Sequence, residues 1–379
     1  MAYGNATEIT QIEPGQLAGP GDKIETIIKL SSILNSSLKV TEIREQAITA
    51  VSTLVRCQAA SLLLINQETG GLYFDVAVGK KGKYLKTIEL SKGEGIAGWV
   101  AENNKAIIVK NPQNDPRFFK NADLKTGFKT ENMVCVPVTN KSKIIGVLQA
   151  INKRNYNFDK NDARILVALS NQIGIALENA QLYDEVKESL YSVVNVLANT
   201  IEKRDPHSAG HSKRVAKYAL AIGKEIKLTH SELVNLKLAS LLHDVGMITI
   251  PDAVLHKKNR LSESEEQIIM THMDSGVEII SEVKQLHKII PAVKYHHEYY
   301  DGSGVFGLKG KSIPLFARII RIADSFDSMT TGRPYARCKG YEGARNELIK
   351  QSGKLYDPDM INAFLKSKAF VLVARHYDN

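Results

Sequence analysis

The chain has 379 residues, more than one hydrophobic core organises, so two domains are expected. Hydrophobic residues make up 43% and charged residues 24%, which excludes a disordered or fibrous chain, and no run of about 18 uncharged apolar residues exists to form a membrane span. The net charge of +9 suits an anionic ligand, but the lysines are spread without a basic stripe interleaved with aromatics, which argues against nucleic-acid binding.

Residues 1–22 mix Gly, Pro and polar residues without apolar period and read as a flexible tail. From Ile24 the positions Ile27, Ile28, Leu30, Leu34 and Leu38 predict a helix, followed by a second over Ile43 to Val55. Then the period changes. Ala60 to Ile65, the Gly70-Gly71 turn and alternating Leu72 to Val78 predict a hairpin. Further strands are expected at Ala106 to Val109, Met133 to Val138 and Ile144 to Ile151. Three well-separated cysteines, Cys57, Cys135 and Cys338, fit a reducing compartment, and the protein is expected in the cytoplasm.

The segment Gly93-Glu94-Gly95-Ile96-Ala97-Gly98-Trp99-Val100, the loop Asp115-Pro116-Arg117-Phe118, and the strands Cys135-Val136-Pro137-Val138 and Gly146-Val147-Leu148-Gln149 resemble a GAF domain. The resemblance implies an α+β fold over residues 23–178: an antiparallel sheet with helices and a pocket that takes a small-molecule ligand in some members. Asn152, Lys153, Phe158 and Asp162 are similar to the Asn-Lys-Phe-Asp-Glu signature of cyclic-nucleotide-binding members, with Ala163 replacing its Glu. For these residues bracing of the fold is the favoured role.

From Ile165 one long helix is expected. Leu169, Ile173, Ala176, Ala180 and Tyr183, then after a phase shift Val186, Leu190, Val193 and Leu197, read as a coiled-coil seam for a homodimer, with 179–204 as the connecting helix. No strand pattern follows Ile201, so residues 205–379 are expected to be all helical. Pro206 fits the start of a helix on which His207 and His211 stand at i and i+4. Thr229 with Glu232, and Ser262 with Glu265, are capping-box patterns that open the helices ending on His243-Asp244 and carrying His272.

His243 and Asp244 close an apolar helix, which gives metal-capable side chains a dry wall and an open mouth. Grouped with His211, His272, His296, His297 and Asp324, they form an imidazole and carboxylate set suited to Fe, Mn or Zn, in which a shared Asp bridges two ions around a phosphodiester.

The runs Asp205 to Ser212, Leu242 to Gly246, His296-His297-Glu298, Arg321 to Asp327 and Arg333-Pro334-Tyr335 resemble an HD-GYP domain, a branch of the HD metallohydrolases. That resemblance implies a bacterial cyclic di-GMP phosphodiesterase yielding linear pGpG or GMP. It implies two or three divalent metals, Fe first and Mn as the alternative. The implied ligands are His207, His211, His243, Asp244, His272, His296, His297 and Asp324, with His207 standing where three-metal members carry Glu; His243 and Asp244 are the catalytic pair. Arg333, Arg337 and Lys309 are the candidate phosphate-binding cations.

Two features depart from the family: Met247 replaces a Lys, and Gly304-Val305-Phe306-Gly307 lacks the Tyr and Pro of the naming loop. A metal-bound receptor for cyclic dinucleotide or for a diguanylate cyclase partner is therefore the alternative, as is a hydrolase of another phosphate ester.

Overall fold

A computed structural model describes residues 6–9, 39–78, 87–141, 143–205, 208–257, 259–331 and 338–367. The chain divides into two units, Met1–Val186 and Lys187–Asn379. The helix expected over Ile24 to Leu38 lies outside the described residues.

The first unit contains the strands β1 (Ala6–Ile9), β2 (Cys57–Ile65), β3 (Leu72–Val78), β4 (Glu89–Leu90), β5 (Ala106–Val109), β6 (Met133–Asn140) and β7 (Lys143–Lys153). They form one antiparallel sheet in the order β1-β5-β6-β7-β2-β3-β4. The expected hairpin is β2–β3, closed where Ile65 faces Leu72, with Gly70 supplying a φ of +69° in the turn. One expectation needs correction. Ala6–Ile9 falls in the stretch read as a flexible tail, yet pairs with β5 from Ala6 opposite Val109 to Ile9 opposite Ala106. Without it β5 would be an open edge of ladder donors and acceptors, which a short polar-flanked strand can cover.

Period-two alternation sends Leu62, Val134, Val136, Leu148 and Ala150 to one face of the sheet, beneath α1 (Val40–Leu54) and the first part of α4 (Lys160–Arg204). Leu63, Met133, Cys135 and Val147 face the other way, beneath α2 (Gly95–Asn103), with α3 (Lys120–Thr126) on the same side. Gly174 lets α4 lie directly on β6, since a Cβ there would sit 2.1 Å from the Thr139 carbonyl oxygen.

This packing changes the reading of the seam. Leu169, Ile173, Ala176 and Ala180 are buried against the unit's own sheet and are not free to pair with a second helix. The apolar residues that α4 exposes are Ile175, Leu182, Tyr183, Val186, Val193, Val196 and Leu197.

The second unit is helical among its described residues: α5 (His211–Glu225), α6 (His230–Leu242), α7 (Asp252–Leu255), α8 (Glu263–Met270), α9 (His272–Ser281), α10 (Ile290–Tyr295), α11 (Leu315–Thr331), α12 (Gly340–Lys350) and α13 (Pro358–Lys366). Both expected capping boxes form, Thr229 with Glu232 at α6 and Ser262 with Glu265 at α8. Phe326, on the apolar stripe of α11, is fully buried, edge-on to Tyr218 at 5.1 Å and to Phe364 at 4.9 Å. Two helix boundaries differ from expectation. His272 opens α9 rather than lying on α8, and α5 begins at His211, because Gly210 takes the left-handed conformation at φ +73°. The described helix thus opens on His211 itself, and His207, expected on the same helix, lies outside the described residues.

Candidate metal centre

The centre is assembled from five backbone segments. Leu242 ends α6, His243 continues its right-handed turn, and Asp244 leaves it at φ −98°, ψ 13° to start a 3-10 turn over Val245–Thr249. That turn lies directly on α9. A Cβ on Gly246 would stand 1.9 Å from the His272 carbonyl oxygen and 2.6 Å from the Gly276 nitrogen, so glycine is required for the His243-Asp244 pair to approach His272. His296 and His297 follow α10, and Asp324 projects from α11.

Asp244 stands between two groups of imidazoles. Its Oδ2 lies 3.2 Å from His243 Nε2 and 3.8 Å from His211 Nε2, while its Oδ1 lies 3.5 Å from His272 Nε2 and 3.7 Å from His296 Nε2. Each carboxylate oxygen faces its own set of nitrogens. The ligand atoms of Asp244, His272, His296 and His297 lie within 4.8 Å of one another, as do those of His211, His243 and Asp244. Asp324 Oδ1 adds a carboxylate 3.4 Å from His211 Nε2.

The rings are held so that Nε2 points inward. His243, His272 and His296 each bond through Nδ1 to a carbonyl three residues back, those of Ser240 at 2.9 Å, Ile269 at 2.6 Å and Val293 at 2.7 Å. Since a carbonyl only accepts, Nδ1 carries the proton and Nε2 offers its lone pair. His211 uses a carboxylate instead: Asp327, fully buried, accepts from His211 Nδ1 at 2.8 Å and from Arg214 Nε and Nη2 at 2.7 and 3.0 Å. His297 differs, because its Nδ1 accepts from Arg321 Nη1 at 3.2 Å.

The donor set fits divalent metal ions. Nε2 of His211 and of His243 is buried without a hydrogen-bond partner, an arrangement that costs free energy unless a cation takes the lone pair. Electrostatics agree. Burial opposes a charge on His243, but the neighbouring Asp244 carboxylate overrides it and pushes the imidazole up to about 9. Burial lowers His296 to about 4, against the hydrogen bond that its protonated ring would donate to Asp244. Burial likewise works against ionised Asp244, but His243 holds its carboxyl well below the usual range. One carboxylate thus draws a proton onto His243 that a cation would displace.

The family model for the GAF domain matches residues 40–177, and that for the HD domain matches residues 195–360. The chain joins a GAF domain to an HD domain. It is 37% identical over 210 residues to 3'3'-cGAMP-specific phosphodiesterase 2 of Vibrio cholerae, covering 54% of this chain and 40% of the relative. It is 35% identical over 203 residues to the cyclic di-GMP phosphodiesterase response regulator RpfG of Xanthomonas campestris, covering 52% and 54%. A cyclic di-GMP phosphodiesterase of Thermotoga maritima is 32% identical over 242 residues, covering 62% and 65%. The chain thus spans 40–65% of the length of these curated relatives.

Of the candidate residues, the HD domain brings His211, His243, Asp244, His272, His296, His297 and Asp324 into one centre. Arg333 and Arg337 lie outside the described residues. Lys309 is exposed, its stem lying over Gly302, and it takes no part in either ligand group. Sequence reasoning assigned no role to Asp327, Arg214, Glu298 or Arg321. Glu298, 3% exposed, accepts the backbone N–H of Phe306 at 2.8 Å and of Leu308 at 2.7 Å. It holds the Gly304-Val305-Phe306-Gly307 loop through backbone groups, so the loss of the family's Tyr and Pro leaves this attachment in place. Its signal was present in the sequence as a lone acid directly after His296-His297.

In the GAF domain the Asn152 side chain accepts from Glu131 N at 2.8 Å and donates to the Lys129 carbonyl at 2.8 Å, while Lys153 pairs with Asp162. These residues brace the fold, as favoured. A largely apolar cavity opens between the sheet and α2 and α3, bordered by Phe74, Ile96, Phe118, Phe119 and Met133, with Gln149 bonded to Ser61 at 2.6 Å. Among the described residues no helix is long and apolar enough to cross a membrane.

Proposed function

We propose that the HD domain hydrolyses a cyclic dinucleotide, cyclic di-GMP first, to the linear dinucleotide or to mononucleotides, at a two-metal centre of iron or manganese. The observation that carries this reading is Asp244, whose two oxygens face separate imidazole groups. Bound divalent ions supply the charge that polarises a phosphodiester and lowers the pKa of an attacking water. The chain's own residues do the rest. His243 and His211 on one side, and His272 and His296 on the other, hold lone pairs inward, and Asp244, 29% exposed, keeps the mouth open to an anionic substrate. The relatives' named activities support this substrate class, and the +9 net charge favours approach of a dianion.

The GAF domain is the sensor in this reading, its apolar cavity receiving a small uncharged molecule and α4 carrying the response. The exposed stripe on α4 is the homodimer surface, and free cysteines fit action in the cytoplasm.

The test is turnover of cyclic di-GMP and 3'3'-cGAMP by protein purified without oxygen and reloaded with Fe(II) or Mn(II), with metal content measured on the same sample. Hydrolysis is expected, and is expected to disappear in His243→Ala and Asp244→Ala. Two bound metals with nucleotide retained but not cleaved would replace the enzyme by a receptor, for the nucleotide or a diguanylate cyclase partner. Met247 borders the space beside His211 and Asp244, and Met247→Lys is expected to raise turnover by about 10²-fold if the missing ammonium serves the leaving oxygen.

A further inference from the structure

The last turn of α4 holds two of the five segments that build the metal centre. Glu202, 8% exposed, accepts from Gly210 N at 2.7 Å and from Ser212 N at 2.8 Å, the two backbone groups that flank His211. Arg204 donates from Nη1 to the carbonyls of Met247 at 3.1 Å and Ile248 at 2.6 Å, and from Nη2 to that of Ile250 at 2.5 Å. Its Nε and Nη2 also reach Asp252 Oδ1 at 3.1 and 2.7 Å. The carbonyls belong to the 3-10 turn that begins immediately after Asp244 and to the residue that ends it. One side chain therefore fixes the start of the His211 helix, and another, two residues on, fixes the turn below His243 and Asp244.

The remaining histidines are held differently. His272 and His296 are oriented by carbonyls of their own segments, Ile269 and Val293, and His297 meets Arg321 of α11. No bond from Glu202 or Arg204 reaches these segments among the described residues.

We propose that Glu202 and Arg204 are positioning residues first of all for the ion held by His211, His243 and Asp244, and that the ion held by His272, His296 and His297 feels them only through the shared Asp244 and the turn that follows it. The inference rests on the two-metal reading above and adds an asymmetry to it. Hydrogen bonds to ionised groups are the stronger kind, and partners that orient metal ligands typically change metal affinity by about 10–100-fold when lost. Because α4 is a single helix from Lys160 to Arg204, an axial shift or twist of its end displaces Glu202 and Arg204 together and acts on one ion position before the other.

The experiment uses the full chain loaded with Mn(II), with Glu202→Gln and Arg204→Lys as variants and His272→Ala as the opposite control. Glu202→Gln keeps size and one acceptor oxygen, so it remains informative if the arginine variant fails to fold, which circular dichroism reports. Ions per chain are counted after gel filtration, and paramagnetic resonance distinguishes an exchange-coupled pair from an isolated Mn(II). Wild type is expected to hold a coupled pair. Both clamp variants are expected to keep one tight ion with an isolated signal, the second ion binding about 10–100-fold more weakly. Variants that keep the coupled pair at wild-type affinity, or that weaken both ions equally, overturn the inference. A wild type that never takes up two ions overturns the two-metal reading itself and this inference with it.

Discussion

Asp327 never approaches the metal positions, yet it decides the state of His211. Its two oxygens take the Nδ1 proton of the ring and both inner nitrogens of Arg214 in a site closed to solvent. In Asp327→Ala the ring loses its orienting acceptor and Arg214 its counter-charge. Affinity for the ion beside His211 is expected to fall about 10–100-fold while the chain stays folded, as read by metal titration alongside circular dichroism. A second residue-scale outcome concerns pH. In metal-free protein His243 has a folded pKa of about 9, above the 6.5 of an unfolded histidine, so its contribution to stability is complete below pH 6.5 and is lost as pH rises through 9. His296, at about 4, acts in the opposite sense, since protonation favours the unfolded chain as pH falls below 6.5. Chelator-treated protein is therefore expected to melt highest near pH 6.5, with an alkaline decline that Mn(II) reverses because cation and proton compete for the same nitrogen. Melting curves from pH 6 to 9 in wild type and His243→Ala check this. A decline of equal slope in both proteins would remove His243 as its cause.

At the scale of elements, the site depends on how closely its segments approach. Gly246 lets the 3-10 turn rest on the backbone of α9, and Gly304 lets the loop after His297 fold back on Glu298, where a Cβ would meet Oε1 and the Tyr299 nitrogen at 2.7 Å. Gly246→Ala forces a carbon into the His272 carbonyl, a clash between backbones that no rotamer relieves. It is expected to destabilise the HD domain by more than about 3 kcal/mol in urea unfolding. A loss below about 1 kcal/mol would mean that the turn and α9 slide apart at little cost. These approaches mark the limit of what the sequence discloses. Capping boxes at Thr229 and Ser262 and the period-two strands were legible because they are local patterns. The clustering of the histidines around Asp244 was legible because His243, Asp244 and the histidine pair are rare neighbours on apolar segments. The start of α5 was not, since Glu202 sets it by capturing Gly210 N and Ser212 N from eight and ten residues away. Nor was the pairing of Ala6–Ile9, which depends on an edge strand a hundred residues on.

For the whole molecule, the question is which side of α4 is free. The sequence alone cannot separate a seam that faces a second chain from a stripe that faces the domain's own sheet, because both repeat every three or four residues. The fold separates them. Leu169, Ile173, Ala176 and Ala180 belong to the core of the first unit, and Val194 to that of the second. Of the exposed apolar residues, Ile175, Leu182 and Val196 share one heptad position and Val186 and Val193 share the position four residues on, with Tyr183 and Leu197 beside them. That register is the knobs-into-holes spacing of a two-stranded coiled coil, with Ser189, Asn179 and Thr200 as its polar members. Val186 and Val193 are 66% and 54% exposed in the single chain, so charges placed there disturb no internal packing. The double variant Val186→Glu, Val193→Glu is accordingly expected to fold with unchanged circular dichroism and metal content, and to turn a dimer into a monomer by analytical ultracentrifugation. A wild type that sediments as a monomer at all concentrations, or a variant that remains dimeric, would refute pairing through this face. If dimerisation also tightens the register of α4, the same variant weakens the ion beside His211 more than the ion beside His272, because only the former is tied directly through Glu202 and Arg204 to the end of that helix.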